Sequence, residues 1–193
     1  MKTQMKTAIA ALLLTSIISC TKENITEPSS LNTQSTNKQV AAFVIGQSYQ
    51  GGIIFFIDAT QQHGLIAALN DQGTGIAWSN GSSIVTNATA TANGTGASNT
   101  RKIVRAQGKT GTYAALLCSR FKNDGFTDWY LPSRDELNLL YQQRAVVGGL
   151  SATNYWSSSE VSRGKAWDQE FGGGFQFKDI KTFTLNVRAI RSF

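Results

Sequence analysis

A single histidine, His63, and two cysteines, Cys20 and Cys118, bound the chemistry open to this 193-residue chain. So few thiols and imidazoles exclude both a Cys/His zinc cluster and a disulfide-stapled scaffold. A catalytic His63 would need a nucleophile or carboxylate within reach, and the sequence offers no local one; it reads as an exposed turn residue. Ser157-Ser158-Ser159 lacks an accompanying base or glycine elbow, so it reads as alternating serines on a sheet. Asp168 and Glu170 share one face of a strand. Two such carboxylates could bind calcium together with backbone oxygens, or pair across strands with Lys178 or Arg188, and pairing is the favoured reading. Asp128-Trp129 reads as structural, the indole filling a core and the carboxylate satisfying nearby amides.

What remains is chemistry of recognition rather than reaction. Tyr155, Trp156 and Trp167 are candidate ligand-binding aromatics, because a flat indole matches the C–H face of a sugar ring. A place in the core competes with that role for each tryptophan. Arg163 and Lys165 sit in the turn between their strands and could meet sulfate or carboxylate groups. The net charge is +6, which could favour an anionic polymer or lipid surface but is no nucleic-acid signature. No cofactor or metal is expected, and no catalytic constellation is visible.

The amino terminus reads as an address. Lys2 and Lys6 precede an apolar run over residues 8–18 that is too short to span a bilayer of about 30 Å. It ends in Ile17-Ile18-Ser19-Cys20: two aliphatic residues, a small one, then the thiol to which a diacylglycerol is transferred. Residues 1–19 are thus predicted to be a lipoprotein signal, with Cys20 as the lipidation site and the membrane as a partner. Cleavage removes Lys2 and Lys6 and lowers the charge from +6 to +4. Residues 20–40 are polar and read as a flexible tether. Lys22-Glu23 resembles the charged export signal of surface-displayed lipoproteins in the Bacteroidetes group, or is solvated linker charge. The expected location is the bacterial outer membrane, reached by export and lipid anchoring, with display at the surface left open.

The remaining residues, 41–193, form one predicted domain. Gly52-Ile53-Ile54-Phe55-Phe56-Ile57 reads as a strand buried on both faces. It pairs in a hairpin with a second strand over 65–69, and a third follows near Ile76. Residues 79–99 read as a long surface loop. Asn99-Thr100 would cap a helix over 101–106, and Thr112 a helix over 113–121 whose stripe is Tyr113, Leu116, Leu117 and Phe121. Cys118 in that helix reads as a small core residue. Ser133-Arg134-Asp135-Glu136 is a capping box for a third helix. After Gly148-Gly149 the period becomes two, and a strand meander runs to the end, with Arg188 on its polar face. Strands, helices, then strands predict an α+β fold with an antiparallel sheet and two to three helices.

Asp128-Trp129-Tyr130-Leu131-Pro132-Ser133, Tyr155-Trp156-Ser157-Ser158-Ser159-Glu160, Ala166-Trp167 and Val187-Arg188-Ala189-Ile190-Arg191, in that order, resemble the Lcl C-terminal domain family. This is the terminal domain of a collagen-like bacterial adhesin, and it is similar also to the Fibrobacter-type major paralogous domain. The resemblance implies a C-type-lectin-like fold and, from the adhesin, binding of sulfated glycans by a trimer. The calcium loop of classical lectins and the collagen-like stalk have no counterpart here. The expectation is therefore a lipid-anchored, non-catalytic envelope protein recognising an acidic or sulfated glycan or another extracellular polymer. The alternative is an interaction domain for a protein partner on the same surface.

Overall fold

The structure, a computed structural model, describes residues 42–193. The predicted signal, Cys20 and the tether lie outside the described residues. The first sheet has the order β1-β2-β3-β9 and is antiparallel throughout, formed by β1 (Ser48–Tyr49), β2 (Gly52–Ile57), β3 (Gly64–Ala68) and β9 (Ile190–Ser192). The second contains β4 (Gly73–Ala77), β5 (Asn154–Glu160), β6 (Lys165–Glu170), β7 (Gln176–Ile180) and β8 (Thr184–Val187), in the order β4-β8-β5-β6-β7. Its β5–β8 pair is parallel. Four helices complete the domain: α1 (Gly96–Gln107), α2 (Ala114–Arg120), α3 (Arg134–Gln142) and α4 (Arg144–Val147). The α+β class holds. The single antiparallel sheet becomes two sheets with one parallel pair, and the helices number four rather than two or three.

The continuous apolar runs of β2 and β3 follow from two cores on opposite faces of one sheet. Ile54, Ile66 and Ala68 join one cluster with Trp78, Trp156, Ile103 and Leu116. Their neighbours Phe55, Leu65 and Ala67 join the other with Leu137, Leu140, Tyr155 and Phe171. Alternate side chains of a strand point to opposite faces, so a strand between two cores can spare neither face. Each large side chain so buried contributes roughly 1.5–3 kcal/mol.

The capping box forms and does more than start α3. Glu136 N donates to Ser133 Oγ at 3.3 Å, and Ser133 N donates to Glu136 Oε2 at 2.7 Å. The other carboxylate oxygen accepts Gly94 N at 2.8 Å, and Ser133 Oγ donates to the Ala92 carbonyl. A local signal thus also fastens the segment that precedes α1.

That segment is a strandless surface loop, as its composition predicts, but it is fastened to the second sheet. Thr86 N and Asn87 N donate to the buried Glu160 carboxylate, Glu160 N to the Ala88 carbonyl, and Ser159 Oγ to the Ala90 carbonyl. The expected caps Asn99 and Thr100 are drawn inward. Asn99 Nδ2 donates to the Ala90 carbonyl, and Thr100 Oγ1 accepts Leu131 N. Helix α1 therefore starts earlier, at Gly96, without a side-chain cap bond. Helix α2 starts after Tyr113, also without one, so Thr112 is not its cap.

Candidate functional site

Tyr155 and Trp156 are fully buried, which corrects their reading as ligand-stacking aromatics. Strand β5 lies between β8 and β6, and its two faces serve the two cores. Trp156 Nε1 donates to the Ile76 carbonyl at 2.9 Å, and Tyr155 Oη donates to Asp71 Oδ2 at 3.0 Å. Neither ring offers a face to a ligand. Trp167 is half-buried, and its ring already carries two cations: the Lys178 ammonium at 4.8 Å and the Arg134 guanidinium at 5.1 Å. Arg163 and Lys165 are exposed at the β5–β6 turn.

Asp168 and Glu170 form neither the expected cross-strand pairs nor a shared cation site. Asp168 is buried, accepts Asn154 Nδ2 at 2.7 Å through Oδ2, and has no partner for Oδ1. Burial, opposed by the Asn154 bond and reinforced by Asp179, pushes this carboxyl up to about 6. Glu170 accepts the amides of Gly172 and Gly173 and so closes the turn before β7. Their proposed partners are engaged elsewhere. Lys178 lies over Trp167, and Arg188 is fully buried. The Arg188 Nε donates to Asp71 Oδ1 at 2.7 Å, and its Nη1 donates to the Ala68 carbonyl at 2.8 Å. A strand's polar face is not always its solvent face: here it meets the carbonyls that end β3.

The other sequence candidates settle into structural places. Ser157, Ser158 and Ser159 are all buried; Ser157 Oγ donates to the Trp167 carbonyl and Ser159 Oγ to that of Ala90. His63 is exposed in the β2–β3 turn. Cys118 is buried in the core, and desolvation pushes its thiol far up. Trp129 is a core residue, as read from sequence. Asp128 is engaged chiefly by a side chain rather than by nearby amides. It receives Arg191 through two bonds, Nε to Oδ1 at 2.8 Å and Nη2 to Oδ2 at 2.9 Å, and the guanidinium holds its carboxyl below the usual range.

A different constellation is assembled by the helices. Residues 72–123 contain no Asp or Glu, yet they carry Arg101, Lys102, Arg105, Lys109, Arg120 and Lys122. Helices α1 and α2 fold this segment around a groove of about 620 Å³. Arg101 and Arg105, one turn apart on α1, line it with Lys109 and Arg120, and Val104 and Leu116 add apolar surface. Arg120 Nη2 donates to the Lys109 carbonyl at 2.5 Å, which ties the α2 terminus to the linker. Among the described residues, the four ion pairs use Arg134, Lys181, Arg188 and Arg191, and none of the groove cations. The groove shares Thr100, Arg101 and Ser119 with an adjoining hollow of about 250 Å³ beside Trp129. Sequence reasoning read the α1 residues only for capping. The legible signal was the run of 52 residues without an acid, long enough to hold a whole helix pair.

Two sheets with a core on either face of the first, and four helices laid over them, define an α+β domain whose exposed chemistry is a basic groove. The chain belongs to the Lcl C-terminal domain family, whose profile matches residues 67–191. Among solved structures it is similar to a fimbrial protein from Bacteroides ovatus, with a TM-score of 0.50 and 16% sequence identity. The likeness covers 79% of this chain and 45% of that one, so the chain spans less than half of the fimbrial protein. No curated protein matches the chain.

Proposed function

We propose that this protein is a lipid-anchored, non-catalytic adhesin of the bacterial envelope that binds an acidic glycan in the α1–α2 groove. The observation that carries this reading is the gathering of unpaired cations around one groove, with no carboxylate in the whole segment that builds it. Guanidinium groups match sulfate and carboxylate geometry, and the Val104 and Leu116 side chains suit the apolar face of a sugar. The family relationship supports an adhesin-like role, and the C-type-lectin-like description of the fold belongs to the same reading. Anchoring through Cys20 at the outer membrane, facing outward, would present the groove to extracellular polymer.

Heparin, a sulfated polysaccharide, is the probe. The full chain should be retained on immobilised heparin and released by rising salt, because exposed charges are screened over about 8 Å at physiological ionic strength. Arg101→Glu with Arg105→Glu should abolish retention at physiological salt and leave the melting midpoint nearly unchanged. Retention of the double variant equal to that of the wild type would remove the groove from the proposal. A wild-type chain that binds neither heparin nor any acidic glycan would favour the alternative, a protein partner on this surface.

A further inference from the structure

The turn between β3 and β4 carries three polar residues in a row, Asn70, Asp71 and Gln72, and the fold holds it in place. Asp71 accepts Arg188 Nε on Oδ1 at 2.7 Å and Tyr155 Oη on Oδ2 at 3.0 Å. Gln72 N donates to the Val187 carbonyl at 2.8 Å. The Gln72 side chain donates to the Asn70 carbonyl at 2.8 Å and accepts Ala189 N. After α2, Asn123 Nδ2 donates to the Gly51 carbonyl at 2.6 Å. These residues line a pocket of about 520 Å³ between the turn and the end of α2, a size usual for small-molecule sites. Leu117 and Phe121 give it apolar surface.

The bonding capacity each group has left decides what the pocket takes. A carboxylate oxygen accepts more than one hydrogen bond; a side-chain amide nitrogen donates two, and its oxygen accepts. Asp71 Oδ1 and Asn123 Oδ1 therefore remain acceptors, and Gln72 Nε2 keeps a second hydrogen to donate. The exposed Asn70 amide brings both kinds of group. A simple anion uses donors alone, and a simple cation uses acceptors alone. Hydroxyls, which donate and accept, match the mixture. The Asp71 charge does not call for a cation, because the buried Arg188 guanidinium already balances it. Apolar side chains beside these groups suit the C–H face of a sugar ring, and groups fixed before binding lose little freedom when a ligand arrives.

We propose that this pocket binds a neutral, hydroxyl-rich sugar ring. Adjacent hydroxyls of the ring donate to Asp71 and accept from Gln72, and its apolar face lies against Leu117 and Phe121. Arg120 lines both this pocket and the basic groove, so one polysaccharide chain can seat an acidic unit there and a neutral unit here. That continuity rests on the acidic-glycan reading; the pocket itself does not.

Heteronuclear NMR of the side-chain amides in the full chain tests the site. Glucose, galactose and mannose are the probes, each compared with its uronate. At least one neutral hexose should shift the Asn70, Gln72 and Asn123 amides saturably, and more tightly than the corresponding uronate does. Asn70→Ala keeps the backbone carbonyl that Gln72 holds and alters an exposed position, so the melting midpoint should stay within a few degrees of the wild type. The dissociation constant for that hexose should nonetheless rise about fivefold or more, as the loss of a hydrogen bond predicts. The titration contains no polyanion, so a protein that fails on heparin can still pass here, and the reverse. Saturable shifts absent with all three hexoses, tighter binding of the uronates, or an unchanged constant in Asn70→Ala would overturn the proposal.

Discussion

Lys181 and Glu160 meet inside the protein, with Nζ donating to Oε1 at 2.5 Å and each side chain only 1% exposed. Each also reaches the segment that leads to α1. Glu160 accepts Thr86 N and Asn87 N, while Lys181 donates to the Ile84 carbonyl and lies 4.4 Å from the centre of the Trp78 ring. The pair fastens a strandless segment to the second sheet. Lys181→Met leaves a buried carboxylate without its cation and should destabilise the domain by about 3–5 kcal/mol. Adding Glu160→Gln should recover part of that loss, which chemical denaturation of the single and double variants would measure.

Gly96 opens α1 where the capping box of α3 presses against it. A Cβ there would stand 2.2 Å from Glu136 Oε2 and 2.8 Å from Ser133 N. Alanine favours a helix over glycine by about 1 kcal/mol, but the clash acts on a buried carboxylate and a backbone amide that cannot both yield. Gly96→Ala should therefore lower stability, by roughly 1–3 kcal/mol. A raised denaturation midpoint would show that the box gives way without loss.

Asp168 makes the stability of the protein sensitive to pH in the acid range. Its carboxyl is pushed up to about 6 from an ordinary 3.8, first by burial, so the folded state holds a proton that the unfolded chain releases. The stability this proton supplies is fully present below about pH 4 and is lost as pH rises through about 6, a change of roughly 2–3 kcal/mol. Asp168→Asn should flatten the melting midpoint between pH 4 and 6 relative to the wild type. Parallel profiles would show that the carboxylate is not strained.

The two sets of exposed cations should separate on the heparin column. Arg163→Glu with Lys165→Glu removes as much charge as reversing Arg101 and Arg105, yet it leaves the groove intact. Elution should fall modestly in salt for the turn pair and collapse for the helix pair. Equal losses would mean that net charge, not the groove, sets retention.

Cys20→Ala should abolish acylation and shift the protein from the membrane fraction to the soluble fraction or to an unprocessed precursor. Incorporation of labelled palmitate into wild type and variant is the direct measurement. Full membrane attachment of the variant without label would refute the anchor.

Local signals in the sequence were sufficient for some local structures and not for others: the capping box of α3 forms, whereas the caps read at Asn99, Thr100 and Thr112 do not. The Ser133–Glu136 capping box and the hairpin of β2 and β3 are set by neighbours in the chain, and both stand in the structure; of the stripe read from Tyr113 to Phe121, only Leu116 and Leu117 lie within α2, and Tyr113 and Phe121 flank it in extended backbone. The order of motifs was enough to reach the family. What tertiary structure decided was which polar and aromatic residues face water. Trp156 looked available for a ligand because alternation marks two faces without saying that both are covered; β5 lies inside its sheet, so both are. Arg188 read as a cross-strand partner on the polar face until the fold set Asp71 beside it, from 117 residues away, and the buried pair of Lys181 with Glu160 went unread. Charge alone was legible in the acid-free stretch over 72–123, but a groove needs two helices side by side, and a sequence does not display that distance.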